Sequence, residues 1–280
     1  MKEKAYTIHK QLVGIYTERN AEKGTNPQGK KLPVILFLNS GLLPHVGPYR
    51  LYVNLAREFS KLGFSSFRFD LSGIGDSEKH KDSRLYKAQH SEDIIRVIDF
   101  LEENENEESF IALGICTGAD NAHKTMVKDK RVVGAVSIDG YTYPTWRYYA
   151  NLYGPKMMRL KSWVTLFKTV LKRIPSLFEA KQEQGPQAID MSWNKPEKQQ
   201  TEAEFRDFIA RDANLLNIYT ASWPYNYQNQ LADVFQNIPF GDNLQLAYLE
   251  DAEHIFPLVE DRQKLTATIT EWLNSRFKAA

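Results

Sequence analysis

The chain has 280 residues, 42% hydrophobic and 25% charged, which is ordinary globular usage and enough to bury one substantial core or a core with a small appendage. Its 36 basic and 35 acidic side chains leave a formal charge of +1, so no net field would draw it to nucleic acid or an anionic bilayer. A single cysteine excludes an internal disulfide, no cysteine and histidine pairs stand at zinc-ligand spacing, and no apolar run has signal-peptide or membrane-spanning length; a cytoplasmic protein with neither metal nor organic cofactor is expected.

Thr7 to Glu18 alternate loosely between apolar and polar, and Pro33 to Leu38 form a short apolar run that stops at Asn39-Ser40-Gly41. These predict an outer strand pair and then a buried strand ending in a turn. Arg50 to Leu62 places Leu51, Val53, Leu55, Ala56 and Phe59 near helical spacing before Gly63, and Phe64 to Phe69 follows as a strand. Helix Glu92 to Glu103, strand Phe110 to Ile115, helix Gly118 to Lys128 and strand Val132 to Ile138 continue the alternation, which favours a parallel sheet with crossover helices.

After Asp139 the rhythm breaks for about 70 residues, too long for a structureless connection inside a compact domain. Residues 141–211 are therefore expected to form a helical cap inserted into a core of residues 1–140 and 212–280. The insertion opens with Tyr141, Tyr143, Trp146, Tyr148, Tyr149 and Tyr153. It continues into an amphipathic pattern through Trp163, Leu166, Phe167, Val170 and Leu171. A polar tract with Gly185, Pro186, Lys195 and Pro196 precedes a second helical piece, Glu202 to Arg211. Core elements resume as strand Leu215 to Thr220, helix Tyr227 to Phe235, strand Leu244 to Leu249 and helix Val259 to Phe277.

Gly114-Ile115-Cys116-Thr117-Gly118 lies between a buried strand and a helix, the context that a G-x-S-x-G nucleophile elbow requires. The glycines allow a tight strand-to-helix turn that holds the central residue out above the sheet, and the following helix start favours a thiolate. The competing reading of Cys116 is a small buried hydrophobe. Asp70-Leu71-Ser72-Gly73-Ile74-Gly75-Asp76-Ser77 reads as an architectural glycine turn, because neither the phosphate-loop nor the dinucleotide spacing is present. His254, after the last strand and before the last helix, stands where a general base falls in nucleophile, acid, base order. His9 in the first strand, His80 and His90 in a polar connection, and His123 inside the elbow helix are read as surface or packing residues.

On the segments FLNSGLLPHVGPYRLYVNLAREFS, FRFDLSGIGDSE, GICTGAD, DGYTYPTWRYY and EDAEHIFPLVEDR, the chain resembles the α/β-hydrolase superfamily over nearly its whole length. Within it, the segments are similar to the hydrolases associated with exosortase and exopolysaccharide gene clusters. The resemblance implies an α/β-hydrolase fold and an ester or thioester (acyl) hydrolase with a cysteine nucleophile; acyl transfer on the same site and a non-catalytic binding protein of the same fold are the alternatives. The usual acid follows the strand before the last, yet Leu216 to Pro224 offers no carboxylate. Asp139, at the end of the strand after the elbow helix, is the substitute, with Asp251 and Glu253 as alternatives. By analogy, the Thr117 and Leu42 backbone N–H groups form the oxyanion hole. His45 and the aromatic residues Tyr141, Tyr143 and Trp146 are candidate substrate contacts, for a partly apolar or carbohydrate-bearing small molecule. Arg147, Lys156, Arg159, Lys161, Lys172 and Arg173 read chiefly as a solvated basic face.

Overall fold

The computed structural model describes residues 1–80, 86–141, 143–157, 196–220 and 227–278, without the side chains of residues 86–88 and 152–157. An eight-stranded sheet runs in the order β1-β2-β4-β3-β5-β6-β7-β8. Its strands are β1 (Glu3–Ile8), β2 (Leu12–Thr17), β3 (Val34–Leu38), β4 (Ser66–Phe69), β5 (Phe110–Ile115), β6 (Val132–Ile138), β7 (Asn214–Thr220) and β8 (Leu244–Leu249). The β1–β2 and β2–β4 pairs are antiparallel and all the others parallel. The observed architecture is the α/β-hydrolase fold that the resemblance implies.

Burial explains the order. β3 and β5 are apolar along their whole length and buried at every position, as strands covered on both faces must be. Val34, Leu36 and Leu38 point into one core with Phe67, Ile98 and Met126, whereas Ile35 and Phe37 point into the other with Phe59, Ile269 and Trp272. Helix α1 (Leu51–Leu62) buries Leu51, Leu55 and Phe59 against the second face. It ends at Gly63, whose φ of 98° and close approach to the Lys23 carbonyl oxygen, 2.0 Å from where a Cβ would lie, leave room for no other residue. The expected outer strand pair is the β1–β2 hairpin, but His9 lies in its turn and not in the first strand: His9 and Lys10, at φ 49° and 58°, stand between Ile8 and Gln11, whose N–H donates to the Ile8 carbonyl.

Helices α2 (Tyr86–Glu105) and α3 (Thr117–Lys128) follow β4 and β5, and α4 (Trp146–Met157) opens the stretch expected to be a cap. The amphipathic run from Trp163 to Leu171, the tract around Gly185 and Pro186, and the cations Arg159, Lys161, Lys172 and Arg173 lie outside the described residues. Helix α5 (Lys198–Ala210) packs on α3: Phe205 and Phe208 set their rings edge-on to His123, and Glu204 accepts a 2.7 Å hydrogen bond from the same imidazole. Arg211, just beyond it, donates to the Met126 and Val132 carbonyls. Short α6 (Gln230–Val234) and long α7 (Val259–Leu273) complete the chain. Among the described residues no helix is long and apolar enough to cross a membrane.

Candidate active site

Cys116 is the single residue between β5 and α3, and its backbone sits at φ 57°, ψ −120°. A non-glycine residue pays for that conformation, so it persists only where the surroundings dictate it. Here they do. A Cβ on Gly114 would lie 2.2 Å from the Gly118 carbonyl carbon, and one on Gly118 would lie 2.8 Å and 2.9 Å from the Leu38 and Asn39 carbonyl oxygens. Strand, helix and the end of β3 therefore meet at backbone contact beneath the thiol. The Cys116 carbonyl accepts from the Ala119 and Asp120 N–H groups, and its N–H donates to Ile138, tying the turn to the neighbouring strand. Cys116 remains partly exposed at the N-terminus of α3, where the helix dipole favours an anion.

His254 lies in the turn after β8. Its Nδ1 is 2.8 Å from Oδ2 of Asp139, and hydrogen bonding with Cys116 also acts on its imidazole. Asp139 is wholly buried at φ 48° directly after β6, where its N–H donates to the Ile218 carbonyl of β7. Thr220 holds the carboxylate from that strand: its N–H donates to Oδ1 at 2.8 Å and its hydroxyl to Oδ2 at 2.6 Å. The buried carboxylate thus meets three donors, as a buried charge requires. The hydrogen bond to Asp139, then that to Cys116, raises the His254 pKa to about 10 against the opposing effect of burial. Of the three carboxylates considered from the sequence, Asp139 is the one bonded to His254; Asp251 and Glu253 are exposed loop residues.

Beside the thiol, the loop after β3 is held at several points. The Gly41 N–H donates to the Thr117 hydroxyl at 2.8 Å, and Asn39 bridges the Leu43 carbonyl and Asp70. Asp70, also wholly buried, accepts from the His45 N–H at 2.6 Å, the His45 ring at 2.8 Å and the Asp76 N–H at 3.1 Å. Burial pushes the Asp70 carboxyl up, but the His45, Asp76 and Asn39 donors outweigh it and hold the group below its ordinary range. Gly75, at φ 50°, passes so close that a Cβ would lie 2.2 Å from Oδ2. The Leu42 and Thr117 N–H groups have no hydrogen-bond partner among the described residues.

His45 is thereby turned toward Asp70. His45, Asp70 and Asp76 bring three potential metal-ligand atoms within 4.8 Å of one another, yet both Asp70 oxygens are already engaged in anchoring the loop. Tyr143 packs edge-on to Phe235 and shares its hydroxyl with the Pro196 carbonyl and Thr201. Tyr141 packs between Tyr143 and His123, while Trp146, at the start of α4, is 80% exposed. Arg147 lies over the Tyr227 ring. Asp70, Thr220 and the Thr117 hydroxyl are absent from the sequence-based set of site residues. A carboxylate at the end of an apolar strand is the one signal that could have flagged Asp70; a threonine ending a strand carries none.

The sequence profile of a family described as serine aminopeptidase, S33, matches residues 32–239. No curated protein matches the chain. Among solved structures, a putative α/β hydrolase of unknown function from Agrobacterium tumefaciens is 16% identical over 100% of both chains, with a TM-score of 0.55. A putative lipase from Acinetobacter baumannii is 13% identical over 98% of this chain and 91% of its own, at TM-score 0.60. An esterase from Pyrococcus furiosus is 13% identical over 99% and 90%, at 0.56. These likenesses concern the fold.

Proposed function

This chain belongs to the hydrolase family described as serine aminopeptidase, S33, and from that membership we propose that it hydrolyses ester or thioester bonds of acylated small molecules, with Cys116 as nucleophile, His254 as acid and base, and Asp139 as the orienting carboxylate. The observation that carries this reading is the hydrogen-bonded series from Asp139 through His254 to the elbow thiol. A family named for a serine enzyme has cysteine at position 116 here, and the electrostatics suit that residue. A protonated His254 is a poor base for an alcohol but a suitable partner for a thiolate, which needs no base in order to attack.

In the first half-reaction the Cys116 thiolate adds to the substrate carbonyl, and the oxyanion accepts from the Leu42 and Thr117 N–H groups. The intermediate collapses as His254 gives its proton to the leaving alcohol or thiol, leaving an acyl thioester on Sγ. In the second half, neutral His254 takes a proton from water as the water attacks; collapse releases the carboxylic acid and restores the thiolate and imidazolium. Asp139, clamped by Thr220, keeps Nε2 aimed at the reacting atoms. The similarity to hydrolases of exosortase and exopolysaccharide clusters favours an acyl group carried on a glycan.

The test is intact-mass detection of acylation with a panel of activated esters and thioesters. Wild type should gain one acyl group, Cys116→Ala none, and His254→Ala should label roughly a hundredfold more slowly, the scale of general acid and base catalysis. Labelling no faster than that of a free thiol would overturn the mechanism.

A further inference from the structure

Away from the thiol, a cleft of about 290 Å³ opens between the β1–β2 hairpin, β4 and the first two turns of α1. Pairing aligns Ala5 with Ile15 and Ile15 with Arg68 across three strands, so these side chains share a face with Glu3, two residues before Ala5. Val53 and Arg57 of α1, one turn apart, and Arg50 directly before the helix line the cleft above them. The short Ala5 leaves the space.

The charges in this cleft do not balance. Among the described residues that line it, three guanidinium groups, those of Arg50, Arg57 and Arg68, face one carboxylate, Glu3. Arg57 takes it in two parallel bonds of 3.2 Å, leaving Arg68 a single long contact of 3.4 Å from Nη2. Arg50 has no hydrogen-bonded carboxylate among the described residues. Arg68 is only 3% exposed and its Nε has no hydrogen-bond partner among the described residues. Burial lowers its pKa, the Glu3 charge opposes that, and Arg57 and Arg50 add to it. A buried guanidinium with an unmet donor is costly unless an acceptor is supplied. Arg50 reaches this place from a left-handed backbone, with Tyr49 and Arg50 at φ 48° and 59°.

We propose that the cleft is a binding site for a tetrahedral oxyanion group, phosphoryl or sulfuryl, borne by a small molecule and held by Arg68, Arg50 and Arg57. The planar guanidinium forks match such an anion in geometry and charge, and the apolar walls of Ile15 and Val53 accommodate whatever carries it. Glu3 competes with the ligand for the same forks.

Isothermal titration of the full chain with inorganic phosphate and with inorganic sulfate, against chloride at matched ionic strength, tests this. Saturable binding of either anion is expected. Arg50→Gln, on the surface, and Arg68→Met, in the interior, should each weaken it by roughly tenfold, while Glu3→Gln should tighten it several-fold. Cys116→Ala should bind as wild type does, which separates the site from the acyl chemistry. A preference for phosphate or for sulfate identifies the group. Absence of saturable binding, or binding unchanged in both Arg50→Gln and Glu3→Gln, would overturn the proposal even if Arg68→Met failed to fold.

Discussion

In the proposed mechanism, the choice of sulfur over oxygen at position 116 sets what His254 must do. Asp139 first, and Cys116 second, keep the imidazole protonated up to about 10, a state in which it can donate to a leaving group and cannot accept from an alcohol. Cys116→Ser removes the second contribution and retains the first. The serine variant should therefore hydrolyse a good ester at roughly a hundredth of the wild-type rate or less near neutrality, the scale of lost general-base catalysis, and should recover as pH rises and His254 loses its proton. Wild type should show the opposite trend, with acylation falling as pH passes through about 10 because the acid is lost. Rate–pH profiles of both proteins on one substrate decide it: identical profiles would mean that His254 is neutral in each.

Among the elements, β5, α3 and the end of β3 meet at backbone contact. Placing Ala at 118 favours the helix by up to about 1 kcal/mol, but the new methyl would press on two main-chain carbonyls, and overpacking of that kind costs about 1–3 kcal/mol. The packing cost should win. Because Leu38 and Asn39 lead directly into the loop that presents Leu42, the expected result for Gly118→Ala is modest destabilisation in urea with a fall in kcat of roughly tenfold to a hundredfold, the scale of a displacement near 1 Å. Stability lost with kcat retained would show that the loop does not follow β3.

The parts of this junction differ in how readily they are seen in the chain itself. Uninterrupted runs such as Phe110 to Ile115, and the glycines around Cys116, announce a buried parallel strand and its turn, because burial on both faces demands apolar residues and the turn demands missing Cβ atoms. His254 is visible by its place after the last strand, and Asp139 by adjacent strand ends falling on one edge of the sheet. The hydrogen bonds that fix them are less visible. Whether Thr220 faces a carboxylate or solvent depends on the β6–β7 register, and the engagement of His45 with Asp70 depends on a loop crossing above β4. Local pattern specifies neither. The same holds for Tyr143, whose ring is claimed by Phe235 and Thr201 through helices distant in sequence.

For the whole molecule, Cys116, Asp139 and His254 stand at the ends of β5, β6 and β8, so their contact exists only when four parallel strands are paired in register. The His254 titration is therefore linked to global folding. Its folded pKa, about 10, lies above the ordinary value of 6.5, so the folded state binds the proton more tightly than the unfolded chain does. The associated stabilisation is fully present below about 6.5 and is lost as pH rises through about 10. His254→Gln lacks this contribution at every pH. The unfolding free energies of wild type and variant, from urea titrations across that range, should differ most at its acidic end and converge toward its alkaline end. Because the cost of leaving Asp139 with one donor fewer is nearly constant over the same interval, convergence isolates the proton; a gap that stays constant would mean that the Asp139 bond orients a neutral ring.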